Sequence, residues 1–391
     1  MPELHAFLSA SASKRWIECP PSAMACSGIP DEPSVFALQG TDCHELCAYK
    51  VEKALGKKVE DPTPHLEYYD EEMEDCAEQY CSYVLECYEE AKKHCDFTKI
   101  LIEHRLDFSR WVPDGFGTGD CVIVADDELQ IIDYKHGLGV EVSAGDDEHG
   151  GNTQMMCYAL GALSSFEYMY DIKTVRMTIF QPRKSNISTY EVTKEELLHW
   201  ANTVLAPKAK LAIDGKGEFK AGPHCQFCKI KAKCRKRAEQ NLELAKYDFR
   251  MPDKLTDLEI SAILEKCGDL VSWVNDVKNY ALAKALEGTH FDGWKVVEGR
   301  SVRKFTDENA ATKAIVDAGF DPYEKKLKGI TALTKMLGTK KFQEVVGEYV
   351  YKPPGSPALV PESDKRPEYS TARVDFNGSS CPSNNAGSNE E

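Results

Sequence analysis

The sequence predicts an α/β (α+β) fold, and two patterns carry this prediction. Three short runs rich in Ile, Val and Leu, separated by turn residues, predict neighbouring strands at 99–106, 117–124 and 129–134. Apolar residues spaced three to four apart predict helices before these runs and again at 153–164. Because helices and strands follow one another in groups, we expect a sheet covered by helices between about residues 95 and 215.

The segments before the first strand are predicted to be helical. Serines from Ser9 onward suit the cap of a short helix that ends before Pro20. A second helix is expected from about Gln39 to Leu55. The acidic stretch 60–96 predicts a third helix, since its apolar residues recur every three or four positions: Met73, Ala77, Tyr80, Val84 and Tyr88.

The chain after the third strand continues the same alternation. Asp126 to Glu128 predict a hairpin turn, and the glycine-rich segment from Gly137 to Gly151 predicts a loop. Strands near 174–180 and 187–192 follow the helix that begins at Thr153. A further helix opens at Thr193, because acids fill its first turn.

The sequence divides into a main domain, a helical connector, a small C-terminal α/β accessory domain and a disordered tail. In that order, these are residues 1–239, 240–289, 290–351 and 352–391. The accessory domain is predicted to hold a strand around Trp294–Val297 and helices at 308–318 and 331–346. The tail prediction follows from its high content of Pro, Ser, Asn and Gly.

Charge is unevenly distributed along the chain. The 391 residues carry 48 Lys and Arg against 64 Asp and Glu, a formal net charge of −16. This balance argues against a uniformly basic nucleic-acid-binding protein. The stretch from Glu60 to Asp96 has a net charge of −11, whereas Val204 to Arg237 has a net charge of +8. We therefore expect a polarised surface whose positive part lies in the latter segment.

The sequence predicts a cytoplasmic protein. It contains no run of about 18 apolar residues, the length needed for a membrane-spanning helix. The first ten residues lack the basic and apolar regions of a secretory signal. In the reducing cytoplasm the fifteen cysteines are expected to be thiols or metal ligands rather than disulfides.

Asp120, Asp133 and Lys135 are the strongest candidates for a reaction centre. Asp133 and Lys135 share one face of a predicted strand, because side chains alternate along it, and Asp120 lies on the neighbouring strand. Converging carboxylates are hard ligands suited to Mg²⁺ or Mn²⁺. A neighbouring lysine can orient water and stabilise charge on a phosphate. For the Asp-x-Lys pattern alone, a surface hairpin with ordinary charges is the alternative.

Gln154, Tyr158 and His44 extend this set. Gln154 and Tyr158 are four residues apart on one helix face, where they can hold a phosphate or base; partial burial in the core is the alternative. His44 follows Gly40-Thr41 on a predicted helix. A neutral imidazole is a suitable further ligand beside two carboxylates, although a lone helical histidine is more often structural.

Cys225, Cys228 and Cys234 are spaced like the ligands of a metal or cluster. Cys19 is the natural fourth ligand for a Cys₄ site. His224 is the alternative, and it would make a zinc site. Buried thiols without a metal are the alternative to a metal or cluster site.

In combination these motifs resemble the RecB-like branch of the PD-(D/E)XK nuclease superfamily, in members with an iron–sulfur staple. Relatives of this type are the nuclease of the AddAB helicase–nuclease and the Cas nucleases of spacer acquisition. The chain is most similar to an uncharacterised phage- and prophage-encoded family. Six features occur in the family's order within residues 5–237: Leu8 to Cys19-Pro20, Gly40-Thr41 to His44-Glu45, Gly119-Asp120, Asp133-Tyr134-Lys135, Gln154 to Tyr158, and the three closing cysteines.

The resemblance implies a restriction-endonuclease-like core, with a mixed central sheet flanked by helices and a helical C-terminal extension. It implies a metal-dependent DNA exonuclease that acts in phage or prophage recombination or replication. His44, Asp120 and Asp133 would hold Mg²⁺ or Mn²⁺, and Lys135 would assist the water nucleophile. Gln154 and Tyr158 would contact the DNA strand near the scissile phosphate, and Glu103 would also enter the site. Tyr134 departs from the small aliphatic residue usual at this variable position.

The resemblance also implies a [4Fe-4S] cluster, with Zn²⁺ as the alternative. Cys19, Cys225, Cys228 and Cys234 would hold the cluster and join the N-terminal segment to the residues after the core. The implied partners are DNA and phage recombination or replication proteins, with no membrane. The basic residues expected to bind DNA flank the last cysteine: Lys229, Lys231, Lys233, Arg235, Lys236 and Arg237. A non-catalytic DNA-binding or replication-accessory protein that retains the nuclease fold is the competing hypothesis.

Overall fold

A computed structural model describes most of the chain. The described residues are 6–30, 34–146, 150–243, 255–298, 306–323 and 328–351. The chain divides into two compact units, residues 1–291 and 292–391. The predicted disordered tail, 352–391, lies outside the described residues.

A five-stranded mixed sheet forms the centre of the first unit. Its strands, in chain order, are β1 Lys99–Asp107, β2 Phe116–Ala125, β3 Glu128–Tyr134, β6 Thr174–Gln181 and β7 Asn186–Thr193; a separate short pair consists of β4 Gly145–Asp146 and β5 Gly150–Gly151. The spatial order is β1-β2-β3-β6-β7. β1, β2 and β3 pair antiparallel, β3 and β6 pair in parallel, and β7 is antiparallel to β6.

The first unit also contains helices, several of which cover the two faces of this sheet. They are α1 Ser13–Glu18, α2 Ser22–Cys26, α3 Val35–Ala54, α4 Glu71–His94, α5 Thr153–Phe166, α6 Lys194–Trp200, α7 Ala206–Ile213, α8 Arg235–Leu242 and α9 Asp257–Leu286. A π-helical turn joins α6 to α7, and a 3₁₀ turn at Pro223–Phe227 precedes α8. Because β3 and β6 are parallel, the chain needs a crossover between them, and α5 supplies it.

Each face of the sheet has its own apolar core. One core joins α1, α5, α6 and α7 to residues such as Val122, Ile131 and Met177. The other joins α3 and α4 to the opposite set, including Ile123 and Ile132. This alternation follows from the two-residue period of strand side chains. The predicted class, a sheet flanked by helices, is therefore confirmed as a mixed α/β architecture.

The acidic helix is shorter than predicted. α4 begins at Glu71 rather than near Glu60, because Asp70 caps it by accepting a hydrogen bond from the Met73 N–H. Pro62 and Pro64 lie between the predicted start of this helix and the observed one, and proline disfavours the interior of a helix. Of the apolar residues that predicted this helix, Met73, Ala77, Tyr80 and Val84 are buried.

The regular elements described in the second unit are helices. Its helices are α10 Glu308–Asp317, α11 Ile330–Leu337 and α12 Thr339–Val346. The helix predicted at 331–346 is divided at Gly338, whose φ of 75° breaks a right-handed helix. The strand predicted around Trp294–Val297 was wrong: these residues are described and have no strand pairing, and Trp294 and Val297 are mostly exposed.

None of the helices in the ranges above combines the length and apolar character needed to cross a membrane.

Candidate functional site

Three carboxylates lie side by side on the first three strands of the sheet. The β1–β2 pairs on either side of Glu103 place it opposite Asp120. The β2–β3 register, extended by one residue beyond Cys121 and Ile132, places Asp120 opposite Asp133. Like charges in such positions destabilise a sheet unless cations lie between them. The row therefore needs positive charge, which His44 and Lys135 supply in part.

His44 projects from α3 toward this row. Its Nδ1 lies 3.3 Å from Asp120 Oδ1, and the Asp120 side chain is 11% exposed. Burial disfavours the imidazolium, but the Asp120 carboxylate outweighs this effect and raises the pKa of His44 to about 9. Burial likewise opposes ionisation of Asp120, yet His44 holds the pKa of Asp120 below its ordinary value. The Tyr134 N–H donates to the other Asp120 oxygen at 2.6 Å.

Lys135 forms the second ion pair of the site. Its Nζ lies 2.8 Å from Asp133 Oδ2, and Asp133 is almost fully buried. That oxygen, the ion pair apart, has no hydrogen-bond partner. Burial and the neighbouring Asp120 raise the pKa of Asp133, whereas Asp133 keeps the pKa of Lys135 above its ordinary value. A further cation would stabilise the ionised carboxylate.

Gln154 and Tyr158, both on α5, complete one side of the site. Gln154 Nε2 lies 3.5 Å from Asp133 Oδ1 and donates to the Tyr158 hydroxyl at 3.1 Å, while its Oε1 accepts from Lys135 at 3.5 Å. Gly117 allows this approach, because a Cβ there would lie 2.7 Å from the Tyr158 ring. The sequence predicted Gln154 and Tyr158 from their spacing, and in the structure they lie beside the Asp133 carboxylate.

The opposite face of β3 carries a hydrogen-bonded chain that sequence reasoning missed. The Tyr134 hydroxyl lies 2.9 Å from His136 Nδ1 and accepts from the Cys43 thiol at 3.1 Å. The ring of His44 packs edge-on against Tyr134. The signal was present, since Tyr134 and His136 alternate with the two residues of the Asp-x-Lys motif. These hydrogen bonds hold the Tyr134 ring, against which the imidazole of His44 packs.

The residues of the site fit a divalent cation. Single ligand atoms from His44, Glu103 and Asp120 all lie within 4.8 Å of one another. Carboxylate oxygens with one imidazole nitrogen suit Mg²⁺ or Mn²⁺. The buried Asp133 oxygen described above is a further acceptor beside this group. The group differs from the predicted ligand set by including Glu103, while Asp133 is paired with Lys135.

Glu103 has an unusual backbone for a strand residue, with a φ of 47°. A left-handed conformation costs a non-glycine residue about 1–2 kcal/mol. We expect Glu103→Gly to lower the affinity for Mn²⁺ roughly tenfold or more, because a carboxylate is lost. Its melting temperature should stay equal or rise. Calorimetric titration with Mn²⁺ and thermal unfolding measure the two effects.

The matched control for this prediction is Arg105→Gly on the same strand. Arg105 has no positive φ, so glycine should lower stability there without changing Mn²⁺ affinity. If Glu103→Gly binds Mn²⁺ as tightly as the unaltered protein, Glu103 is not a ligand.

A second cluster of polarisable side chains lies around the predicted cysteines. Cys19, Cys225, Cys228 and Cys234 line one small cavity together with His224. The Lys220 N–H donates to Cys19 Sγ at 3.4 Å, although the two residues are 201 positions apart. The structure therefore brings all four predicted cluster cysteines together, and this donor set fits an iron–sulfur cluster.

Cys26 is a fifth cysteine at this place, and sequence spacing did not single it out. Its Sγ lies 3.7 Å from Cys228 Sγ. The hydrogen bond between the two sulfurs lowers the pKa of Cys26 to about 6 and raises that of Cys228. A thiolate is the form that binds metals. His224 turns its Nε2 to the Lys220 carbonyl at 2.9 Å, and burial lowers its pKa.

A short helix connects the carboxylate site with the cysteine cavity. At its start, Ser13 Oγ lies 2.7 Å from the hydroxyl of Thr153, the residue before Gln154. α1 ends one residue before Cys19 and packs against the 3₁₀ turn that holds Cys225. Six residues of α-helix span about 9 Å. The two candidate sites are therefore structurally linked.

The basic residues predicted to bind DNA divide into two groups. Lys229, Lys233, Arg235 and Lys236 are exposed. Arg237 is buried, and its guanidinium pairs with Asp276 of α9 at 2.5 Å. Lys231 pairs with the same carboxylate at 3.0 Å. Because Arg237 is buried and paired, it joins α8 to α9 and does not form part of an exposed surface that DNA could contact.

We expect Asp276→Ala to destabilise the protein by about 3–5 kcal/mol, because it leaves the buried Arg237 charge without its partner. The double variant Arg237→Leu/Asp276→Ala should recover most of this loss. Urea unfolding measures both, with the exposed Asp269→Ala on α9 as the control. Equal costs for Asp276→Ala and Asp269→Ala would show that the pair contributes nothing specific.

The fold and the two sites define a mixed α/β protein with a carboxylate–histidine centre beside a cysteine cavity. Residues 5–367 match the family described as "Protein of unknown function (DUF2800)", and the chain belongs to this family. Among solved structures, one described as "Crystal structure of SSO0001" is 11% identical, with a TM-score of 0.22. The match covers 57% of this chain and 96% of that one.

Proposed function

We propose that this protein is a metal-dependent DNA nuclease of the PD-(D/E)XK type that degrades DNA from ends. One observation carries the proposal: His44, Glu103, Asp120, Asp133 and Lys135 converge at neighbouring strands, and Gln154 and Tyr158 lie against them. These residues also follow one another along the chain in the order found in the RecB-like nucleases that the sequence resembles.

The donor set suits Mg²⁺ or Mn²⁺, with His44, Asp120 and one or both of Glu103 and Asp133 as ligands. When bound, such a cation supplies Lewis-acid stabilisation of a phosphate and lowers the pKa of water. His44 must be neutral to act as a ligand, although its pKa in the metal-free site is raised to about 9. Binding would therefore release a proton from this imidazole.

The other side chains would position the substrate. Lys135 remains an ammonium beside Asp133, so it can donate to a phosphate oxygen or to the attacking water. Gln154 bonds to both partners of this ion pair, which fixes their orientation. Burial raises the pKa of Tyr158, so its hydroxyl stays neutral and can donate to the strand.

The proposal is tested with anaerobically purified protein on end-labelled linear DNA and on covalently closed circular DNA. We expect degradation of the linear form in Mn²⁺ or Mg²⁺, none in EDTA, and little or none of the circle. Degradation of both forms would assign endonucleolytic cleavage. Binding without cleavage in either metal would overturn the proposal and favour an accessory protein that retains the fold.

A further inference from the structure

An aromatic side chain is exposed beside the cysteine cavity. Phe227 is 75% exposed, although its neighbour Cys228 and nearby Cys225 are buried. The backbone around it is held in a 3₁₀ turn: the Cys225 N–H donates to the Gly222 carbonyl, and the Cys228 N–H donates to the Cys225 carbonyl. The ring is thus presented to solvent from a fixed turn, without contributing to either apolar core.

The residues that follow this ring are strongly basic. Positions 225–237 contain six Lys or Arg and no acid, in a chain with a formal charge of −16. Two of the six, Lys231 and Arg237, pair with Asp276. The other four, Lys229, Lys233, Arg235 and Lys236, are exposed. Within the protein, Lys229 Nζ donates to the Ile29 carbonyl at 2.7 Å and Lys236 Nζ lies 3.8 Å from Glu239. An exposed aromatic ring next to a local positive surface matches the chemistry of a polyanion that also carries flat apolar groups.

We propose that Phe227 is a stacking platform for an unpaired base of a single DNA strand, with the neighbouring cations on its phosphates. In a duplex, base faces are covered by their neighbours, so an external ring can stack only on unpaired or terminal bases. Cations alone would not distinguish single strands from duplexes in this way. This inference rests on the proposed nuclease function, because it names the form of substrate delivered to that site.

The path from the ring to the carboxylates supports this assignment. α1 packs against the turn that holds Phe227, and its first residue, Ser13, bonds to Thr153 at the start of α5. α5 carries Gln154 and Tyr158. α1, a helix about 9 Å long, therefore lies between the turn that presents Phe227 and the helix that borders the proposed reaction centre.

Binding is measured by fluorescence anisotropy with the full chain in EDTA, so that no hydrolysis is needed. We expect Phe227→Ala to weaken binding of a single-stranded oligonucleotide about five- to a hundredfold, the range typical for loss of one base-stacking ring. Affinity for a covalently closed circular duplex, which has no terminal bases, should be unchanged. Phe227→Trp should bind the single strand as tightly as the unaltered protein, and its added fluorescence should be quenched on binding.

Three controls separate stacking from charge and from unfolding. Phe97 is also exposed, and Phe97→Ala should leave both affinities unchanged. A strand of abasic sugars keeps the phosphates but lacks bases, so the unaltered protein should bind it as weakly as Phe227→Ala binds the normal strand. Arg235→Ala/Lys236→Ala should weaken single strands and duplexes alike, because both carry phosphates.

The result that overturns the stacking role is an equal effect of Phe227→Ala on single strand and duplex, or no effect on either. Equal binding of normal and abasic strands would overturn it as well. Failure of the nuclease proposal has a different signature. In that case Phe227-dependent binding in EDTA would persist, while Mn²⁺ and Mg²⁺ would produce no cleavage.

Discussion

Lys135→Met is expected to lower the rate of DNA hydrolysis about a thousandfold, the effect typical of removing one donor to a developing charge. The Lys135 ammonium lies 2.8 Å from Asp133 and donates to Gln154. Among the described residues, no other lysine makes these two contacts, so none can replace it. Asp133→Asn is expected to have an effect of similar size, because it removes a buried anion beside the proposed cation. Initial rates on end-labelled linear DNA in Mn²⁺ measure both.

Loss of one partner leaves the other charge buried, so these variants could lose activity by unfolding. The double variant Asp133→Asn/Lys135→Met keeps the charge balance and should be as inactive as either single variant while melting close to the unaltered protein. Lys173→Met is the matched control, since this lysine is exposed and pairs with Asp171. Full activity in folded Lys135→Met protein would rule out the proposed chemistry.

Cys225→Ser is expected to abolish the binding of iron. Protein purified anaerobically should show absorption at about 400 nm and contain about four iron atoms per chain, as expected for a Cys-ligated cluster. The variant should be colourless, because Cys225 lines the cavity with the other predicted ligands. Cys81→Ser, on α4 and away from that cavity, should leave the iron content unchanged.

The fourth ligand is decided by two further variants. Cys19→Ser should lose iron and Cys26→Ser should keep it, because Cys19 lines the cavity and Cys26 lies beside Cys228. The opposite result would assign the role to Cys26, and retention in both would point to His224. A colourless unaltered protein that contains one zinc atom would defeat the cluster assignment.

The parts of the site that the sequence predicted are those set by local geometry. Asp133 and Lys135 share a strand face because of the two-residue period, and Gln154 and Tyr158 share a helix face because four residues make about one turn. Asp120 follows because a short hairpin joins its strand to the next one. None of these placements requires knowledge of distant packing.

The features that the sequence did not reveal depend on distant contacts or on backbone torsion. Cys26 approaches Cys228 across 202 positions, and nothing in its spacing separates it from the other cysteines. Arg237 is buried because it meets Asp276, 39 residues further on, so its place in a basic run suggested exposure. The positive φ of Glu103 leaves no trace in residue type, since glycine would be expected there.

The link between α1 and the cysteine cavity also sets a minimum time for assembly on the ribosome. Cys19 is synthesised early, but Cys234 follows 215 residues later. At synthesis rates of about 5–20 residues per second, this interval lasts roughly 10–40 s. In the last part of that interval, after residue 166 has been added, the carboxylate strands and α5 are complete while the turn that packs against α1 does not yet exist. A nascent chain would therefore contain the side chains of the proposed reaction centre before it contains the turn at Pro223–Phe227, against which α1 packs.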